Sequence, residues 1–97
     1  MAPVYITIRL EATGRNISRL MKMNGLKVRD VQTACGFENP QAVYKWLNGQ
    51  SLPSIDNLLI LTVILHTNME GILVTSEDAL PSFVRSGRIR LSMPAAA

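Results

Sequence analysis

Hydrophobic and polar positions alternate with a period of two near the start of the chain. Val4, Ile6, Ile8 and Leu10 share one face, and Tyr5, Thr7, Arg9 and Glu11 the other, which predicts a half-buried strand over about 4–10. The period then lengthens. Ile17, Leu20 and Met21 recur at i, i+3 and i+4, one buried face of a helix that Thr13 is placed to cap and that Asn24-Gly25 closes, with Gly25 in a left-handed conformation. A second helix of about two turns runs from Val28 to Cys35, turning Val31 and Cys35 to the core with Ala34 beside them, and Gly36 stops it. Asn39 as cap and Pro40 in the first turn open a third helix, Pro40 to Leu47, because proline there gives up an N–H that has no helical partner anyway. Val43 and Trp46 or Leu47 fall on one side of it, Gln41, Tyr44 and Lys45 on another, and Asn48-Gly49 ends it.

Ser54, three residues before Asn57, caps a fourth helix reaching about Leu65, and Asn68 caps a short fifth from Met69 to Leu73. The fourth helix is apolar nearly all round: Leu58, Leu59, Ile60, Leu61, Val63, Ile64 and Leu65. A helix on the surface of a monomer normally keeps one polar face. His66 follows it in a position suited to a left-handed residue, which histidine tolerates better than most. From Thr75 the chain turns polar. A second strand-like segment then spans about 83–92, where Arg88 to Leu91 alternates like the first strand. The two are expected to pair antiparallel, within one chain or across a dimer.

Composition narrows the function more than the fold. With 97 residues, 47% hydrophobic and 18% charged, the chain is one folded domain over 1–97, with a helical core over about 13–74. One cysteine, Cys35, and one histidine, His66, leave no Cys-rich zinc site, no disulfide and no nucleophile–base pair, so an enzyme, a metal and a cofactor are not expected. Cys35 reads as a small core residue with an unreactive thiol. No basic n-region or cleavage site marks a signal peptide, and the apolar run Leu58 to Leu65 is too short to span a bilayer; the reducing cytoplasm is the expected compartment. The net charge of +3 comes from the C-terminal part: residues 79–97 hold Arg85, Arg88 and Arg90 with no acid, whereas residues 1–78 carry seven charges of each sign. That excess suits an anionic partner.

Two short helices joined at a glycine, inside a five-helix set, carry a family pattern. The landmarks are Asn16-Ile17-Ser18-Arg19-Leu20, Gly25-Leu26, Val31, Gly36-Phe37, Lys45 to Gly49, Leu52-Pro53-Ser54, Leu58, Leu61 and Ile72-Leu73. Residues 15–74 thereby resemble the helix-turn-helix domain of the phage repressor and Cro family, often called XRE-like, and the prefix Leu10 to Ile17 is similar to a subgroup of short bacterial regulators. The resemblance implies a mainly α, five-helix repressor-type domain, here with a small β element from the N- and C-terminal segments. It implies that the third helix, 40–47, reads the DNA major groove while the second braces it across the phosphates. Carried over by position, Asn39, Gln41, Tyr44 and Lys45 are the base-contact candidates. Lys27, Arg29, Gln50 and Ser51 are the phosphate candidates. Arg15, Arg19 and Lys22 read as a solvated face of the first helix, and Trp46 as core. The sequence departs from the family in a link one residue longer before the third helix, through Asn39-Pro40. It also has Val28 where the family commonly carries a phosphate-touching glutamine.

The surplus apolar surface of the fourth helix has two explanations: the terminal strands cover it, or a second subunit does. Leu59, Ile60, Val63 and Ile64 are the dimer-interface candidates. The expected partners are double-stranded DNA and a second copy of the chain, bound together on a palindromic operator, with the nucleoid as the site of action and no membrane or small-molecule substrate. The alternative function is a protein–protein interaction module, adaptor or antitoxin-like, that keeps the scaffold without reading DNA; the balanced charge of residues 1–78 favours it.

Overall fold

A computed structural model describes residues 7–76. Five helices follow one another in these residues: α1 (Leu10–Met23), α2 (Val28–Cys35), α3 (Gln41–Leu47), α4 (Ile55–Ile64) and α5 (Met69–Ile72). They are flanked by a two-stranded antiparallel ribbon of β1 (Thr7–Ile8) and β2 (Thr75–Ser76), with Thr7 opposite Ser76 and Ile8 opposite Thr75. The segment 83–92, expected to pair with the first strand, lies outside the described residues. Among those described, β1 pairs with β2.

The turn chemistry works as the sequence implies. Gly25, Gly36 and Gly49 all take positive φ, and His66 does so too, at 55°. Ser54 Oγ accepts from the Asn57 amide at 3.3 Å, and Asn68 Oδ1 accepts from the Gly71 amide at 2.8 Å. These side chains satisfy amides that the first helical turn leaves unpaired.

The core is assembled by one side of each helix. Ile17, Leu20, Met21, Val31, Val43, Trp46, Leu58, Leu61, Leu65 and Ile72 form a single buried cluster. Ala34, expected at the core, is exposed instead, and Cys35 is only half-buried. A helix this short turns a narrow stripe inward, and Val31 fills it.

The start of α1 differs from the sequence expectation. Leu10 belongs to the helix rather than the strand, and Thr13 is no cap: it lies inside α1, 1% exposed. Its hydroxyl oxygen accepts from the Val74 amide at 2.9 Å. The Arg9 amide donates to the Val74 carbonyl at 2.8 Å, and Asn16 Nδ2 donates to the carbonyls of Gly71 and Ile72 at 2.7 and 3.0 Å. A buried hydroxyl must find a partner, and Thr13 finds one 61 residues away along the chain. These bonds pin the end of α5 to the first helix and close the bundle.

Candidate nucleic-acid interface

Helix α3 has two unlike sides. Val43 and Trp46 are buried, at 0% and 4% exposure, while Gln41, Tyr44 and Lys45 are exposed. Four residues separate Gln41 from Lys45, about one helical turn, so both side chains leave the same face.

That helix is held from two directions. On one, Trp46 meets the Phe37 ring edge-on, with centroids 5.7 Å apart at 64°, and Gln32 Nε2 donates to the Phe37 carbonyl at 3.3 Å. The turn between α2 and α3 is thus fastened to both helices. On the other, α1 passes so close that a Cβ built on Gly14 would lie 2.4 Å from the Trp46 carbonyl oxygen and 2.7 Å from that of Leu47. Only hydrogen fits there. Sequence reasoning missed Gly14 and Gln32 as supports of α3. A glycine in mid-helix was the available signal for the first, since its cost in helix propensity asks for a packing reason; no local signal marked the second.

The other candidates fall as follows. Asn39 is exposed just before α3, and its Oδ1 accepts from the Gln41 amide at 3.1 Å. Pro40, expected in the first turn, is the cap residue itself, with its carbonyl accepting from Tyr44 at 3.1 Å. Lys27 and Arg29 are exposed at the start of α2, where Asp30 Oδ2 takes the Lys27 amide at 2.7 Å. Val28, the departure from the family pattern, packs half-buried against the core, which explains an apolar residue at that position. Gln50 is exposed and Ser51 half-buried. Their amides donate to the Lys45 carbonyl at 2.9 and 3.4 Å, so only their side chains remain free to meet an anion. Cys35 is half-buried, and desolvation raises its thiol above the ordinary value; its thiolate fraction near neutral pH is correspondingly low.

The residues expected at a subunit contact divide. Leu59 and Val63 are 50% and 71% exposed, and Ile55, which the sequence reading left out, is 72% exposed. Ile60 is half-buried, and Ile64 is half-buried against the core.

A helix-turn-helix family model matches residues 17–72, the span from the middle of α1 to the end of α5. The chain belongs to the helix-turn-helix family. Its mainly helical architecture, five helices with a small two-stranded antiparallel ribbon, matches a helix-turn-helix controller-protein fold. Among solved structures it is similar to the restriction-modification controller protein C.AhdI from Aeromonas hydrophila, at 22% identity and a TM-score of 0.58, over 65% of this chain and 94% of that one. No curated protein sequence matches the chain. Family membership makes this helix-turn-helix protein a DNA-binding transcriptional regulator and not an enzyme. No helix among the described residues is long and apolar enough to cross a membrane.

Proposed function

We propose that the protein reads a palindromic operator as a homodimer, with α3 of each subunit in the major groove. The observation that carries this is the polar, exposed side of α3, Gln41, Tyr44 and Lys45, standing on a buried Val43 and Trp46. A duplex groove admits one such helix, and side chains one turn apart reach neighbouring base edges. Gln41 offers the paired donor and acceptor that match adenine, and Lys45 donates to guanine O6 or N7. Tyr44 packs on a thymine methyl or donates to phosphate. Asn39 meets a base at the entrance to the helix.

Lys27 and Arg29 at the start of α2, with the side chains of Gln50 and Ser51 after α3, supply phosphate contacts that fix the register without reading sequence. The similar solved structure is itself a restriction-modification controller, which agrees with a regulatory role. For the dimer, the support is Leu59 and Val63, flanked by Ile55, all exposed on α4. They are four residues apart and line one face over about 12 Å. Ile60 and Ile64 border that face from the half-buried side. On a palindrome with half-sites one turn apart, a two-fold dimer presents its two α3 helices about 34 Å apart. The site of action is then the nucleoid.

Selection of bound duplexes from a random pool tests the proposal. Recovery of a palindrome with half-sites about one turn apart supports it, and recovery of no preferred sequence overturns it. Sedimentation equilibrium at micromolar concentration tests the dimer separately.

A further inference from the structure

Asn39 departs from a plain reader side chain in one respect. A carboxamide carries an acceptor oxygen with two lone pairs and a donor NH2 group, and in solution it turns either toward a base. Here the oxygen is held against the backbone: Oδ1 takes the Gln41 amide hydrogen at 3.1 Å. Pro40 has no N–H of its own, so Gln41 supplies the first amide after Asn39. A backbone N–H bonds only to an acceptor, which settles the orientation of the side chain. Oδ1 faces the backbone and Nδ2 faces out, on a residue that is exposed. Reversing the amide leaves the Gln41 N–H without its partner.

We infer that Asn39 meets the operator through its outward Nδ2, as a hydrogen-bond donor, so that the base edge opposite it is an acceptor edge and cytosine is disfavoured there. The inference rests on the proposed reading of α3 and adds a specificity rule to it. In the major groove guanine, adenine N7 and thymine O4 accept, whereas cytosine offers only its N4 donors. Gln41, whose side chain is not engaged in this way, keeps both options at its own position.

The experiment compares base preferences at every half-site position, using duplexes that differ by single base pairs. The wild-type chain is expected to disfavour cytosine about tenfold at one position. Asn39→Asp keeps an acceptor for the Gln41 amide but has no donor to project. Its added negative charge weakens all duplexes, so the readout is the ranking of the four bases, and that ranking is expected to shift toward cytosine at the same position. Asn39→Ala removes both groups and is expected to flatten preference there, which supplies the answer should the aspartate variant bind too weakly to rank. Unchanged rankings in both variants, beside a wild-type chain that selects an operator, overturn the inference and leave the reading of α3 intact. A wild-type chain that selects no sequence overturns both.

Discussion

Helices α3 and α4 stand side by side in the sequence and bury comparable residues, Val43 and Trp46 in one, Leu58 and Leu61 in the other. Their outer faces are opposites. That of α3 presents Gln41, Tyr44 and Lys45, groups that keep their hydrogen-bonding capacity in water and trade it for a base or phosphate without stranding a polar atom. That of α4 presents Ile55, Leu59 and Val63, which gain only when another apolar surface covers them. Exposure alone therefore says little about function. The chemistry of the exposed face distinguishes a surface suited to nucleic acid from one suited to a second copy of the chain.

The largest expected effects lie on the inner faces, where the two helices should behave alike. Trp46→Ala removes a buried indole that packs edge-on against Phe37, and Leu61→Ala opens a hole at a fully buried position. The first is expected to lower stability by about 3–5 kcal/mol and the second by about 2–5 kcal/mol, measured by urea denaturation. A loss below about 1 kcal/mol at either site would show that its helix is not part of the common core.

The outer faces should then part company. Val63 is the cleaner probe of the α4 face than Ile60, because Ile60 is half-buried and a charge there mixes folding with association. Val63→Glu is expected to leave monomer stability within about 0.5 kcal/mol while raising the dimer dissociation constant at least about tenfold, as a charge enters an apolar contact. Urea denaturation reads the first arm and sedimentation equilibrium the second. An association constant equal to that of the wild type would remove α4 from the interface and break the contrast.

Gln41→Ala addresses the opposite face. Expected is a loss of about 1–3 kcal/mol on the selected operator, with relaxed preference at one base pair and no change in urea midpoint. A uniform loss on all duplexes would instead assign Gln41 to the phosphates, and equal affinity for every site would remove it from the interface.

Much of this arrangement is legible in the chain because local signals agree with the tertiary fold. Gly25, Gly36 and Gly49 occupy positive φ where helices must stop, and Ser54 and Asn68 cap where their spacing implies. What escaped was non-local. The alternation Val4 to Leu10 runs one residue into a helix, since a period of two over so few positions does not fix where a strand ends. Thr13 has the chemistry of a cap, yet its hydroxyl is claimed by Val74 across the bundle. Gly14 is set by the approach of α3 from 32 residues away in the chain. The candidate interface was legible for the same reason that its roles need testing. Side-chain periodicity locates the exposed face of α3, but not that Asn39 spends its acceptor on Gln41 or that Gln50 and Ser51 spend their amides on Lys45.

The smallest effect compares how the two helices begin. Ser54 caps α4 with a hydroxyl on the amide three residues on, whereas Asn39 stands one residue before the Pro40 cap of α3 and takes the amide two residues on with its carboxamide oxygen, at 3.3 and 3.1 Å. The Ser54 bond is long for its type, so Ser54→Ala is expected to cost about 0.5–1 kcal/mol, a fall of a few degrees in melting temperature for a domain of this size. Ser54 opens the helix assigned to a protein partner, so the operator affinity of the folded variant and its ranking of bases should not move. Thermal melting followed by titration with the selected duplex separates the two readouts. A changed ranking would mean that the start of α4 governs the placement of α3 on DNA, and that the two helices do not act as independent surfaces.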